Sequence, residues 1–357
     1  VWYTLKEILC DREIACDSAV LQMISADEYQ AYGTTLINFA EKISSFSSPL
    51  AVGMSGNFRQ MKRRILNIAV FRKETLYQKM RALIIYLVIS AVFIGCTPIL
   101  SIDASTQSVY HFSDTDKNIS LLDISETFGT YDGSFVLYDN NLDSWKIYDL
   151  EEATKRIPPE STYKIYDALL GLESGIITPE HSSMTWNGDA FPFPSWEADQ
   201  DLNSAMQNSV NWYFQAIDSQ LGINRVQEFL NKIEYGNQTT SSNLDLYWSD
   251  FSLKISPLEQ VTLLKKFNTN EFHLNSQNVF SVKNAIKIAS TPNGNFYGKT
   301  GTGRVNGQDV NGWFIGYIET ADNTYFFATN IGADSNATGS NATEITMSIL
   351  SDMNIWK

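Results

Sequence analysis

PPESTYKIYDALLGL, residues 158–172, is the stretch from which the rest of this chain can be read. Two prolines precede a run whose apolar positions, Ile165, Ala168, Leu169 and Leu172, recur with the helical period, so the spacing predicts a helix starting near Ser161. Ser161 and Lys164 then sit about one turn apart on the same face. A serine hydroxyl is a weak nucleophile until a neighbouring base takes its proton, and a lysine can do so where desolvation lowers its pKa. With no histidine nearby in sequence, Lys164 is the natural base, and a helix N-terminus adds N–H groups for a developing oxyanion. Ser-x-x-Lys spacing alone arises often by chance.

Two further segments raise its weight. Ser209-Val210-Asn211 falls in a stretch that reads as helical over Ser204–Leu221 and offers a second hydroxyl and an amide for proton relay. Lys299-Thr300-Gly301-Thr302 opens a strand ahead of Gly312-Trp313-Phe314; a strand-edge lysine with threonine hydroxyls is suited to gripping a carboxylate, and the glycine lets a substrate approach the backbone. Around these motifs GSFVLYD and SWKIYD read as strands joined by NNLD, and a helix is predicted over Ile223–Ile233. NFYGKTGTG, VNGWFIGYIE and NTYFFATNI read as a three-stranded meander, and ATEITMSILSDM closes the domain as a helix. Strands at both ends of a helical middle predict an α+β domain over residues 118–357.

Taken in this order, the motifs resemble those of the penicillin-recognising serine enzymes, and specifically the class D β-lactamase-like branch. The similar residues are Ser161–Lys164, Ser209–Asn211, Tyr235-Gly236-Asn237, Trp248, Ile255-Ser256-Pro257-Leu258-Glu259-Gln260, Lys299–Gly301 and Gly312-Trp313. The resemblance implies an antiparallel sheet flanked by helices with a helical subdomain, a Ser161 acylated by β-lactams, and drug carboxylate contacts from Lys299, Thr300, Gly301 and Thr302. It also implies that carbon dioxide converts Lys164 to a carbamate with Trp248 as its hydrogen-bonding neighbour. In class D hydrolases the third position of the second motif is typically valine and the residue before the motif lysine is phenylalanine. Here they are Asn211 and Tyr163, as in the BlaR/MecR-type β-lactam sensors. The implied function is a receptor that holds its acyl adduct and induces resistance, with a class D-like hydrolase and a membrane-anchored transpeptidase as alternatives.

The first hundred residues extend the resemblance. Asp11-Arg12-Glu13-Ile14-Ala15-Cys16-Asp17 resembles the third-ligand helix of the membrane zinc peptidase fused to those sensors, implying Glu13 as a zinc ligand and Asp17 as its partner. No HExxH occurs, and His111, His181 and His273 are far apart, so the zinc site is expected to be incomplete here, with an upstream portion missing before Val1. Residues 82–102, ALIIYLVISAVFIGCTPILSI, carry no charge and match the length of a membrane helix. Arg59, Lys62, Arg63, Arg64, Arg72, Lys73, Lys79 and Arg81 precede this stretch, and no Lys or Arg follows until Lys117, so residues 1–81 are expected in the cytoplasm and the C-terminal domain outside the cell. Residues 57–81 read as a basic helix leading into the span, 103–117 as a polar linker, and Arg63-Arg64 either as a processing site or as a positive-inside anchor.

Charge is uneven: residues 1–102 carry +3 and residues 103–357 carry −17, which together make the net −14. An acidic C-terminal part excludes nucleic acid as a partner, since phosphates need basic surfaces. The expected partners are β-lactams, the lipid bilayer and, by resemblance, a cytoplasmic repressor. Three cysteines, Cys10, Cys16 and Cys96, make no disulfide framework.

Overall fold

The structure is a computed structural model that describes residues 2–44, 58–73 and 108–357 except 114, 116 and 242, with scattered positions between 77 and 90. It divides into two compact units, Val1–Pro98 and Ile99–Lys357. The 82–102 stretch and the loop at 44–56 lie largely outside the described residues. Among those described, no helix is long and apolar enough to cross a membrane.

In the first unit, helices α1 (Trp2–Met23), α2 (Tyr29–Ser44) and α3 (Phe58–Val70) are joined by one buried charge cluster. Arg64 of α3 forks onto Asp17 of α1 through two hydrogen bonds of 2.7 and 2.8 Å, and Tyr32 of α2 donates to the same carboxylate at 2.9 Å. Arg64 is 7% exposed, whereas the side chain of Arg63 beside it is 45% exposed. The basic helix also ends at Val70, with Phe71–Lys73 non-helical, short of the continuous helix to residue 81 that its charge pattern suggested.

The second unit is built on a seven-stranded sheet, order β1-β3-β2-β7-β6-β5-β4. Its strands are β1 (Asn118–Leu121), β2 (Asp132–Asp139), β3 (Ser144–Tyr148), β4 (Lys287–Thr291), β5 (Gly294–Val305), β6 (Gln308–Glu319) and β7 (Thr324–Gly332). All neighbours are antiparallel except β1 and β3. Period-2 alternation gives the sheet two apolar faces. Val136, Tyr138, Ile315 and Tyr317 belong to the larger core, under the helices. Phe135, Leu137, Phe314, Ile318 and Phe327 belong to the second core, with Ile345, Ile349 and Leu350 of the C-terminal helix, Gly339–Asp352.

Helix α4 (Ser125–Phe128) buries Phe128 in the second core, and the helices over the larger core begin with α5 (Leu150–Thr154), then α6 (Lys164–Glu173), α7 (Leu202–Gln207), α8 (Asn211–Leu221) and α9 (Ile223–Ile233). After them come α10 (Pro257–Thr269) and α11 (Ser276–Ala285), and the C-terminal helix is α12. Ser256 caps α10, accepting from the Glu259 N–H while Glu259 reaches back to Ser256 N at 3.0 Å; such a reciprocal cap contributes about 1 kcal/mol. Glu259 also holds Arg156 in a largely buried pair, with contacts of 2.9 and 3.1 Å to Arg156 Nε. Arg156→Ala leaves that carboxylate unmatched, and thermal melting of the chain is expected to show the second unit losing about 3 kcal/mol.

Residues 108–112 do not form the open linker expected from their polarity. Tyr110 N donates to Thr154 O at 2.8 Å, Arg156 N to Ser108 O at 2.8 Å, and Phe112 packs edge-on against Trp145. The segment is thus tied by an antiparallel bridge, Val109 to Lys155, to the chain that leads to Ser161.

Candidate active site

Ser161 lies on a short 3-10 turn, Glu160–Tyr163, that runs directly into α6, and this tighter winding brings the Lys164 amine back over its hydroxyl. Lys164 Nζ stands 2.7 Å from Ser161 Oγ and 2.5 Å from Asn211 Oδ1. It is also 3.2 Å from Ser209 O and 3.4 Å from Ser209 Oγ. Ser209 occupies the break between α7 and α8, with φ +55, so the single helix expected over Ser204–Leu221 is two helices with a left-handed residue between them. That kink points both Ser209 and the first residue of α8, Asn211, at the amine.

Lys299, on β5, closes the set: its Nζ is 2.9 Å from Ser209 Oγ and 3.1 Å from Thr300 O. The four motif residues expected to act together, Ser161, Lys164, Ser209 and Lys299, therefore form one hydrogen-bonded array with Asn211. Lys164 is 1% exposed and rests 5.7 Å from the Phe214 ring centre. Burial pushes its pKa well below the usual lysine value, the nearby Lys299 lowers it further, and Asp167 and Glu160 oppose the shift. Burial alone takes Lys299 to about 7. A neutral amine with a free lone pair, 2.7 Å from a serine hydroxyl, is equipped to take its proton.

Gly301 lies against the serine turn, where an added Cβ would come within 3.3 Å of Ser161 N and 3.1 Å of Pro159 O. Thr302 Oγ1 accepts from Gly339 N at 2.9 Å, so it is fixed by the start of α12. Thr300 packs beside it against the same glycine. Trp248 is buried beside the nucleophile turn: its ring stacks on Tyr163, the residue before Lys164, at 6.1 Å, and its carbonyl accepts from Glu160 N at 3.0 Å. Its visible work is to hold the turn that carries Ser161.

Sequence reasoning passed over three contributors. Trp313, placed in a family-like motif by the sequence but given no role there, donates from Nε1 to Pro158 O at 2.8 Å, and Asn311 donates to the same carbonyl at 3.1 Å. Glu160 is buried beside the nucleophile, and its carboxyl is pushed up to about 8. In the first unit Glu13 is half-buried and bound by arginines, with Arg12 at 3.0 Å and Arg64 at 3.7 Å. Among the described residues no cluster of three or more His, Cys, Asp or Glu side chains could hold a metal ion.

Residues 130–351 match the family model of the penicillin binding protein transpeptidase domain, and residues 1–68 that of the BlaR1 peptidase M56. The solved C-terminal domain of the Bacillus licheniformis BlaR penicillin-receptor is 46% identical, covering 68% of this chain and 99% of its own, with a TM-score of 0.66. This chain belongs to the BlaR1/MecR1 family. Regulatory protein BlaR1 of Bacillus licheniformis is 42% identical over 100% of this chain and 59% of its own length. The methicillin resistance mecR1 protein of Staphylococcus aureus is 34% identical over 97% of this chain and 58% of its own. The chain thus spans about three fifths of the length of these relatives. The class D β-lactamase BAT-2 is 35% identical, covering 66% of this chain and 97% of its own, with a TM-score of 0.62, which places the second unit in the class D β-lactamase-like fold.

Proposed function

We propose that the second unit is a β-lactam receptor, acylated at Ser161, that signals drug arrival rather than hydrolysing it. Supporting this reading above all is Asn211, whose Oδ1 lies 2.5 Å from the amine that would otherwise serve as base. Ser161 Oγ attacks the β-lactam carbonyl, Lys164 Nζ takes the hydroxyl proton, and the opened ring remains as an ester on Ser161. Ser209, bridging Lys164 and Lys299, passes that proton toward the β-lactam nitrogen as the ring C–N bond breaks. The N–H groups of Ser161 and of a residue near Thr302 face the developing oxyanion, and Lys299, Thr300 and Thr302 take the drug's carboxylate. Once that proton has gone to the nitrogen, Lys164 is neutral again, and the amide of Asn211 holds its amine in a hydrogen bond that keeps it from drawing a proton from water against the ester.

A Lys164 carbamate fits the donor set, because the amine is neutral and the hydroxyl of Ser161 and the amide of Asn211 can turn N–H or O–H toward its oxygens. When present it would supply an anionic oxygen base at the same position. Trp248, stacked on the Tyr163 that precedes Lys164, is proposed as its hydrogen-bonding neighbour. Glu13 would provide one carboxylate ligand to a peptidase zinc, and the two arginines on it would have to release it first. The reading places residues 1–81 on the cytoplasmic side, 82–102 across the cell membrane and 118–357 outside, with a cytoplasmic repressor as the downstream target.

A hydrolase is the second reading, favoured by the likeness to BAT-2. The detergent-solubilised chain, mixed with a fluorescent penicillin, is expected to give a gel band stable for an hour and absent from Ser161→Ala. Rapid nitrocefin turnover would overturn the receptor reading in favour of the hydrolase. D-Alanine release from stem peptides would point to a transpeptidase.

A further inference from the structure

The residue before the nucleophile stands in an unusual position. Glu160 has φ +53, a left-handed conformation that is strained for a side chain of its size, yet the turn is held there from four sides. Its N–H donates to Trp248 O at 3.0 Å, and Trp313 and Asn311 both donate to Pro158 O. Its carboxyl wedges against β5 and β6: Asn311 Nδ2 lies 3.4 Å from Oε1, and Gly303 passes so close that a Cβ there would collide with that oxygen. Asn311 is itself fixed by Asn330 at 2.8 Å.

We propose that Glu160 is a positioning residue for the acylation reaction: its carboxyl, wedged between Gly303 and Asn311, props the left-handed turn that aims Ser161 at Lys164. The inference rests on the reading of Ser161 as nucleophile and Lys164 as its base. It deepens that reading by adding a pH limit. Burial keeps the carboxyl protonated up to about 8. On ionising, it gains a reason to leave the wedge, because it borders a cavity of about 670 Å³ that can admit water. Its negative charge also raises the pKa of Lys164, which lowers the share of neutral amine. The charged groups facing it are Lys164 from α6 and, around the cavity, Lys155 with Glu152, Arg304 with Asp309, Asp132 and Asp334. Lys155 and Arg304 are already matched by their own acids at 3.1 and 2.7 Å, so none of these is a ready cation for an ionised Glu160.

The test is the first-order rate of Ser161 acylation by saturating fluorescent penicillin, followed from pH 6 to 9.5 on the whole solubilised chain. Saturation removes the part that Lys299 plays in drug binding. The parent rate is expected to fall with a midpoint near 8. Glu160→Gln, which keeps the shape and a hydrogen-bonding head but cannot ionise, should match the parent within about twofold at pH 6.5 and lose that alkaline fall. Glu160→Ala should be about tenfold slower across the range, because the prop is gone. An unchanged alkaline limb in Glu160→Gln, or parent-like rates in Glu160→Ala, would overturn the proposal while leaving the acylation reading in place. Failure of the parent chain to label at any pH would remove both.

Discussion

Lys164→Ala is expected to slow acylation of Ser161 by about three orders of magnitude, within the range that general-base catalysis contributes. Ser161 has no other neutral base at hydrogen-bonding distance in the described array: Ser209 is a hydroxyl, and Lys299 stands on the far side of it. The loss corresponds to about 4 kcal/mol of transition-state stabilisation. The same reasoning fixes a pH dependence in the parent chain. Lys164 must be neutral to act, and burial lowers its pKa, so acylation should rise with pH through that lowered value and be supported at neutral pH. An exposed lysine would leave the site inactive there, because it would be charged. Rapid-mixing measurements with a chromogenic penicillin separate the two contributions. Lys164→Ala should abolish the acidic limb along with most of the rate. A variant that retained both would show that another group deprotonates Ser161.

The strands that frame this site were legible because each joins a β-rich run to a turn signal. GSFVLYD–NNLD–SWKIYD became β2 and β3 with the loop where the asparagines stand, and the three C-terminal runs became β5, β6 and β7. The Ile223–Ile233 helix appeared with the expected bounds. The strands not foreseen, β1 and β4, are short and mostly exposed, so they carry little apolar pattern to read. The break at Ser209 was hidden for a different reason: apolar spacing continues through it, and only the left-handed backbone divides α7 from α8. The signals available were the Asp201 to Ser204 cap and the α10 cap at Ser256, each a local pattern that fixes a helix start.

The site divides along the same line. Residue types and order pointed to Ser161, Lys164, Ser209, Asn211 and Lys299, because proton transfer needs those groups and few others supply them. Glu160 could not be found that way, since an acid before a serine reads as a solvated charge until the sheet covers it. Trp248 was legible only through the resemblance, and its stacking on Tyr163 is a contact that no local pattern announces. The contacts at residues 108–112 were hidden for the same tertiary reason, because nothing in Tyr110 and Phe112 announces that Thr154 and Trp145 will be there to meet them.

Asn211→Val should convert a persistent adduct into a turning-over one, with deacylation faster by about 10². Two effects of the amide disappear together. Its oxygen, 2.5 Å from Lys164 Nζ, accepts a hydrogen bond from the amine and holds it away from water entering against the ester. Valine makes no such bond, and its apolar surface keeps the buried amine neutral with its lone pair free. A neutral Lys164 beside the ester can then draw a proton from an entering water, the step that the amide suppresses. Stability should change little, because Asn211 is only half-buried and its position at the start of α8 tolerates a β-branched side chain in the first turn. The measurement is the lifetime of the fluorescent adduct after excess penicillin is destroyed, paired with steady nitrocefin hydrolysis. A lifetime shortened about 100-fold with matching turnover supports the role given to the amide. An unchanged lifetime would mean that water is excluded from the ester by shape, and that the contact between Asn211 and Lys164 has no part in retaining the drug.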